Sequence, residues 1–130
     1  MRFLLDTQML LWAAEKPEHL SAETVAIIED AANELTYSLV SLWEVAIKSG
    51  LGRSDFQAHP LVLKQGFLEN GYRELAIRVE HMIALMGLPL VHRDPFDRML
   101  VAQAATESLT LLTADALLGQ YAAYTAVRVV

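Results

Sequence analysis

The chain has 130 residues, is 54% hydrophobic, contains no cysteine and carries a formal net charge of −6. That length suits one domain over 1–130, and the lack of cysteine excludes a disulfide framework, a thiolate nucleophile and a Cys-based zinc site. Taken alone, the acidic balance argues against a nucleic-acid binder, whose footprint is usually basic, while the high apolar share leaves surface for a protein partner.

Residues 2–5 (RFLL) read as a buried strand that ends at Asp6. Asp6 also interrupts the apolar start too early for a signal peptide or a spanning segment. No other apolar run approaches the ~20 residues of a membrane helix. A cytoplasmic protein with no membrane segment is therefore expected. A short helix follows over 7–14. The stretch 21–34 opens with Ser21 and repeats Val25, Ile28 and Ala32 at helical spacing. LTYSLV (35–40) reads as a second strand. Ser41-Leu-Trp-Glu44 fits a capping box that starts a helix ending near Gly50 and Gly52. A loop over 53–60, a helix over 61–69, a strand over 72–77 and a helix over 79–87 come next. Asp94 starts a helix running to about residue 108. LTLLT (109–113) is a strand, Asp115 opens a short helical turn, and AVRVV (126–130) is a last strand.

Mostly apolar strands alternating with helices indicate an α/β fold whose parallel sheet is covered on both faces. Function in such sheets gathers at the carboxyl ends of the strands. Asp6 directly follows the first strand, Glu44 lies one helical turn past the second, Asp97 sits in the first turn after HRDP, and Asp115 lies two residues past LTLLT. Each acid alone is explained as a helix cap or a first-turn acid. In HRDPFDR (92–98), Asp94 fits the N-cap, Pro95 the first helical position and Asp97 the third. Convergence would need a further cause. Two like charges ~5 Å apart at an effective dielectric of ~20 repel by about 3 kcal/mol, whereas a cap contributes only ~1 kcal/mol. Converging acids would call for a hard divalent cation, Mg²⁺ or Mn²⁺.

The stretches DTQMLLW (6–12), SLWEVAIKSGLG (41–52), LPLVHRDPFDRMLVAQA (88–104) and LLTAD (111–115) resemble the motifs of PIN-domain proteins, in particular VapC-type toxins of bacterial toxin–antitoxin pairs. The resemblance covers nearly the whole chain. It implies a three-layer α/β/α sandwich with a central parallel sheet and a Mg²⁺- or Mn²⁺-dependent endoribonuclease. It implies that Asp6, Glu44, Asp97 and Asp115 form the acidic metal cluster, with Thr113 near the metal. It further implies a cognate antitoxin and a homodimer. Gln8 departs from the pattern, since many relatives carry His there.

The chemistry agrees with the resemblance, because phosphodiester cleavage needs an activated water and stabilised phosphate charge, and carboxylate-held metal supplies both. Discounting the four acids reduces the net charge from −6 to −2. Lys48 shares a helix face with Glu44, and Arg93 and Arg98 flank Asp97, so all three are candidate RNA phosphate contacts. Lys48 is explained nearly as well as an i,i+4 partner of Glu44, and the two arginines as solvated or salt-bridged side chains. His81 reads as a core or interface residue; His92 could approach the site, but loop packing explains it better. Met82, Leu85 and Met86, or Leu10, Leu11 and Trp12, are apolar stripes that suit a core better than a partner surface. Two rival readings stay open. One is a non-catalytic module of the same fold that binds RNA or protein. The other is a phosphohydrolase using Asp6 as nucleophile, although such enzymes place a second Asp where this chain has Gln8.

Overall fold

The computed structural model describes residues 1–54 and 57–130. Its elements are β1 (Arg2–Leu5), α1 (Thr7–Glu15), α2 (Ala22–Glu29), β2 (Glu34–Ser38), α3 (Leu39–Gly50), α4 (Pro60–Glu69), β3 (Arg73–Leu75), α5 (Val79–Met86), α6 (Pro95–Glu107), β4 (Thr110–Thr113) and β5 (Val127–Val129). Short 3₁₀ helices cover Pro17–His19 and Ala116–Tyr121. Of the loop expected over 53–60, residues 55 and 56 lie outside the described residues.

The five strands form one sheet in the order β3-β2-β1-β4-β5, and all pairings are parallel. Side chains alternate across it with period two. Phe3 and Leu5 of β1, Leu35 and Tyr37 of β2 and Leu112 of β4 enter one core, which Leu10, Ile27 and Phe67 cover from α1, α2 and α4. Leu4 and Leu111 face the other core, covered by Leu100 and Val101 of α6 and by Tyr121. The result is the expected α/β/α sandwich. The chain runs outward in one direction through β2 and β3 and in the other through β4 and β5. The topology therefore reverses between β1 and β4, where open parallel sheets leave a crevice at the strands' carboxyl ends.

Several boundaries differ from the sequence reading. The second helix stops at Glu29 rather than residue 34, because the Asn33 side chain donates to the Ile27 carbonyl and Asp30 Oδ1 accepts from the Ala32 amide. These bonds replace the helical ones and free Glu34 for β2. The helix α3 starts earlier than the S-x-x-E pattern suggests. Ser38, not Ser41, is its N-cap and accepts from the Val40 amide at 3.0 Å. The Ser41 hydroxyl instead accepts from Thr7 Oγ1 at 2.9 Å, tying α3 to α1. Glu44 is thereby moved out of the first turn and has no capping duty. α6 begins as read: Asp94 is its N-cap and accepts from the Phe96 and Asp97 amides.

His81 is fully buried, with Nε2 2.9 Å from Glu107 and Nδ1 accepting from the Arg78 amide. It is a satisfied core histidine. Leu10 and Leu11 are core, but α5 departs from the expectation that its apolar stripe is internal. Val79, Met82, Ile83 and Met86 are exposed, Met86 by 86%. α5 packs on α6 only through its other side.

Candidate functional site

Asp6, Glu44, Asp97 and Asp115 line one open pocket at the carboxyl edge of the sheet, together with Thr7, Gln8, Lys48, Arg53, Asp94 and Ala114. Each acid arrives from a different element. Asp6 leaves β1 and caps α1, accepting from the Met9 amide through Oδ1 at 2.9 Å. Its Oδ2 accepts from the Thr113 hydroxyl at 2.5 Å. Thr113 is the last residue of β4, and its oxygen accepts in turn from the Asp115 amide at 2.9 Å. Asp115 caps the following 3₁₀ helix through Oδ1, which accepts from the Leu117 amide at 3.0 Å. Asp97 stands at the third position of α6, one turn inside the Asp94 cap. Capping and convergence thus coexist at Asp6 and Asp115: each caps a helix through Oδ1, while Oδ2 meets a second partner at the pocket, Thr113 for Asp6 and His92 for Asp115.

The charge cost of this gathering is visible. Burial pushes the Asp97 carboxyl up to about 7, and the charges of Asp94, Asp6 and Glu44 add to the rise while His92 opposes it. Burial pushes Asp6 up to about 6 against the lowering effect of the Thr113 and Met9 hydrogen bonds, with Glu44 and Asp115 raising it further. Lys48 supplies part of the compensation. Its ammonium pairs with Glu44 Oε2 and lies 3.8 Å from Asp94 Oδ2. The i,i+4 pair weighed from the sequence is present, and Lys48 lines the pocket as well.

The other basic candidates do not gather here. Arg98 donates to the Leu88 carbonyl at 3.2 Å, and Arg93 is exposed; neither lines the pocket. Arg53 does line it, and sequence spacing offered no sign of this, because it lies beyond the end of α3. His92, for which the sequence favoured loop packing over an approach to the site, does reach it: its Nε2 lies 2.9 Å from Asp115 Oδ2 and 3.6 Å from Asp97 Oδ2. Its proximity depends on how the 88–94 segment folds back over the sheet edge. Among the described residues, His92, Asp97 and Asp115 each present one potential ligand atom within 4.8 Å of the others; Asp6 and Glu44 stand outside this tight group but in the same pocket.

The donor set is one of carboxylate oxygens, which suits a hard divalent cation. Glu44 Oε1 is buried with no hydrogen-bond partner. An orphaned buried carboxylate oxygen is costly unless something positive completes it. The residues therefore fit the group that the arrangement calls for.

The model of the PIN domain matches residues 3–124, and the chain belongs to this family. The same fold recurs in solved structures of low identity. VapBC-1 from nontypeable Haemophilus influenzae matches with a TM-score of 0.66 at 16% identity, covering 99% of this chain and 98% of that one. DNA-bound VapBC from Salmonella typhimurium matches with a TM-score of 0.66 at 18% identity, covering 98% and 97%. FitAcB from Neisseria gonorrhoeae matches with a TM-score of 0.62 at 20% identity, covering 96% and 95%. No curated protein matches the sequence. Among the described residues no helix is long and apolar enough to cross a membrane.

Proposed function

We propose that the chain is a metal-dependent endoribonuclease and the toxin of a toxin–antitoxin pair. The observation that carries this reading is the meeting of Asp6, Glu44, Asp97 and Asp115, from four separate elements, in one pocket at the topological switch of the sheet. Asp6, Glu44, Asp97 and Asp115 would hold Mg²⁺ or Mn²⁺. The ion, when bound, lowers the pKa of a coordinated water and neutralises developing phosphate charge. The chain's own residues do the rest. Thr113 orients Asp6 and the Asp115 backbone. Lys48 brings a cation to the pocket wall, where it can meet a phosphate of the RNA backbone, and Arg53 lines the same wall. A phosphate contact by Arg93 would have to come from outside the pocket, and Arg98 is committed to the Leu88 carbonyl.

Two rivals fare worse. A nucleophilic Asp6 would need a free, exposed oxygen, yet Asp6 is buried and both its oxygens accept hydrogen bonds. A module that only binds RNA or protein gains nothing from raised carboxyl pKa values and mutual repulsion. The partners of the reading are an RNA substrate in the cytoplasm, a cognate antitoxin and a second copy of the chain. Several of the matching solved structures are of VapBC pairs, which supports the antitoxin. The exposed apolar face of α5 supports the dimer.

The test is cleavage of a mixed RNA pool across a titration of Mg²⁺ and Mn²⁺, with chelator as control. Cleavage that persists in chelator, or its absence at every metal concentration, would remove this reading.

A further inference from the structure

His92 is held at three points. Its backbone N–H donates to the Tyr121 hydroxyl at 3.1 Å, and that hydroxyl donates to the Pro89 carbonyl at 3.0 Å. Its Nδ1 accepts from the Asp94 amide at 3.1 Å. Its Nε2 lies 2.9 Å from Asp115 Oδ2. An amide N–H can only donate, so Nδ1 must present its lone pair. The single proton of the neutral imidazole then sits on Nε2, where an ionised carboxylate, which can only accept, receives it. Both ends of the ring demand the same tautomer.

This bears on what His92 does. By proximity alone it looks like a third ligand beside Asp97 and Asp115. Binding a cation through Nε2 would need that nitrogen's lone pair, and the ring proton would then move to Nδ1. There it would face the Asp94 N–H. The Asp94 amide cannot turn away, because the same residue's side chain caps α6 through the Phe96 and Asp97 amides. Asp115, by contrast, needs an orienting donor: its side chain is 40% exposed, and its Oδ1 is occupied by the Leu117 amide. Tyr121, fully buried on the 3₁₀ helix that Asp115 caps, anchors the His92 backbone to that helix. Donor and acceptor are thus tied to the same short helix, Asp115 as its cap and His92 through Tyr121.

We propose that His92 is a positioning residue, locked as the Nε2–H tautomer by the Asp94 amide, which orients Asp115 and does not itself bind the metal. The metal half of this statement rests on the reading under Proposed function; the tautomer does not.

The test is nitrogen-15 NMR of the His92 ring in the intact wild-type chain at mildly alkaline pH, first without metal and then through a Mg²⁺ titration. The expected result is a protonated Nε2 and a bare Nδ1 in both states. A proton on Nδ1 in either state, or loss of the Nε2 proton as Mg²⁺ binds, overturns the proposal. A wild-type chain that shows no Mn²⁺ binding by electron paramagnetic resonance removes the metal reading, while the metal-free spectrum still decides the tautomer. Mn²⁺ binding followed by electron paramagnetic resonance gives a second measure. His92→Ala should weaken it about 10- to 100-fold, the usual cost of losing a partner behind a metal ligand. His92→Gln, which keeps an N–H donor on a chain of similar reach, should recover most of that loss; equal losses in the two variants count against a donor role.

Discussion

The Thr113 hydroxyl donates to Asp6 Oδ2 at 2.5 Å while accepting from the Asp115 amide at 2.9 Å. One buried side chain thereby joins the carboxyl ends of β1 and β4, the two strands flanking the topological switch. Thr113→Val keeps the shape and strands both partners, which should cost about 1–3 kcal/mol. It should also push the Asp6 carboxyl further up, since this hydroxyl is the strongest influence holding it down. Thr113→Ser should stay near wild type. Chemical denaturation and Mn²⁺ binding report the two effects, and a Val variant unchanged in both would show that the hydroxyl is not the tie.

Asp6 and Asp97 bind protons more tightly when folded than the ordinary carboxyl value of about 3.9, reaching about 6 and about 7. Folding therefore takes up protons, and these two groups destabilise the metal-free fold progressively as pH rises from about 4 to 7. Below that window their contribution is neutral. Asp97→Asn should be more stable than wild type at pH 8 without metal, by a few kcal/mol at most, since tenfold in proton affinity is about 1.4 kcal/mol. The gap should close near pH 4. A gap that is constant with pH would mean that Asp97 ionises normally.

Asp94 and Asp97 should separate by role. Asp94→Ala loses the α6 cap and should cost about 1 kcal/mol. Asp94→Asn keeps the cap but removes the charge that, after burial, most raises Asp97. Its pH–rate profile should shift to the acid side with the fold intact. Asp97→Asn should fold and fail to cleave RNA. Melting temperatures and cleavage profiles of the three variants decide; a dead, well-folded Asp94→Asn beside an active Asp97→Asn reverses the assignment.

Metal should stabilise the fold, because a ligand that binds only the folded state does so by about 2.7 kcal/mol at 100 times its dissociation constant. Asp6→Asn should blunt the rise in melting temperature on adding Mg²⁺ or Mn²⁺. Equal shifts in wild type and variant would exclude Asp6 from the metal site.

Ile83 and Met86 are exposed on α5, so Ile83→Lys and Met86→Lys should leave the monomer fold intact. If α5 mediates the dimer, each should lower the mass seen by light scattering at tens of micromolar, where a specific dimer of ordinary size persists. A wild type already monomeric there would refute the dimer.

The strands and the positions of the acids were legible because both follow local rules. Short apolar runs such as RFLL and LTLLT mark buried parallel strands, and Asp-Pro-Phe-Asp carries its own cap chemistry in HRDPFDR. The start of α3 was not legible. Ser38 and Ser41 are both competent caps, and the choice fell to Ser38 because Thr7 of α1 claims the Ser41 hydroxyl. The C-terminus of α2 was likewise set by a local contest, in which the Asn33 and Asp30 side chains replaced helical bonds that the apolar spacing would have allowed.

By itself, the sequence determined that Asp6 and Asp115 lie at or just beyond strand ends and that Asp97 stands in the first turn of the helix capped by Asp94, since strand and cap are written in neighbouring residues. Whether those ends meet depends on the order of strands, which is a matter of long-range pairing between β1, β2 and β4. Only the tertiary structure decided that Arg98 turns to the Leu88 carbonyl while Arg53 reaches the pocket, and that His92 touches Asp115. These contacts join residues up to tens of positions apart in the chain, and no periodicity in the sequence records where a loop will fold back.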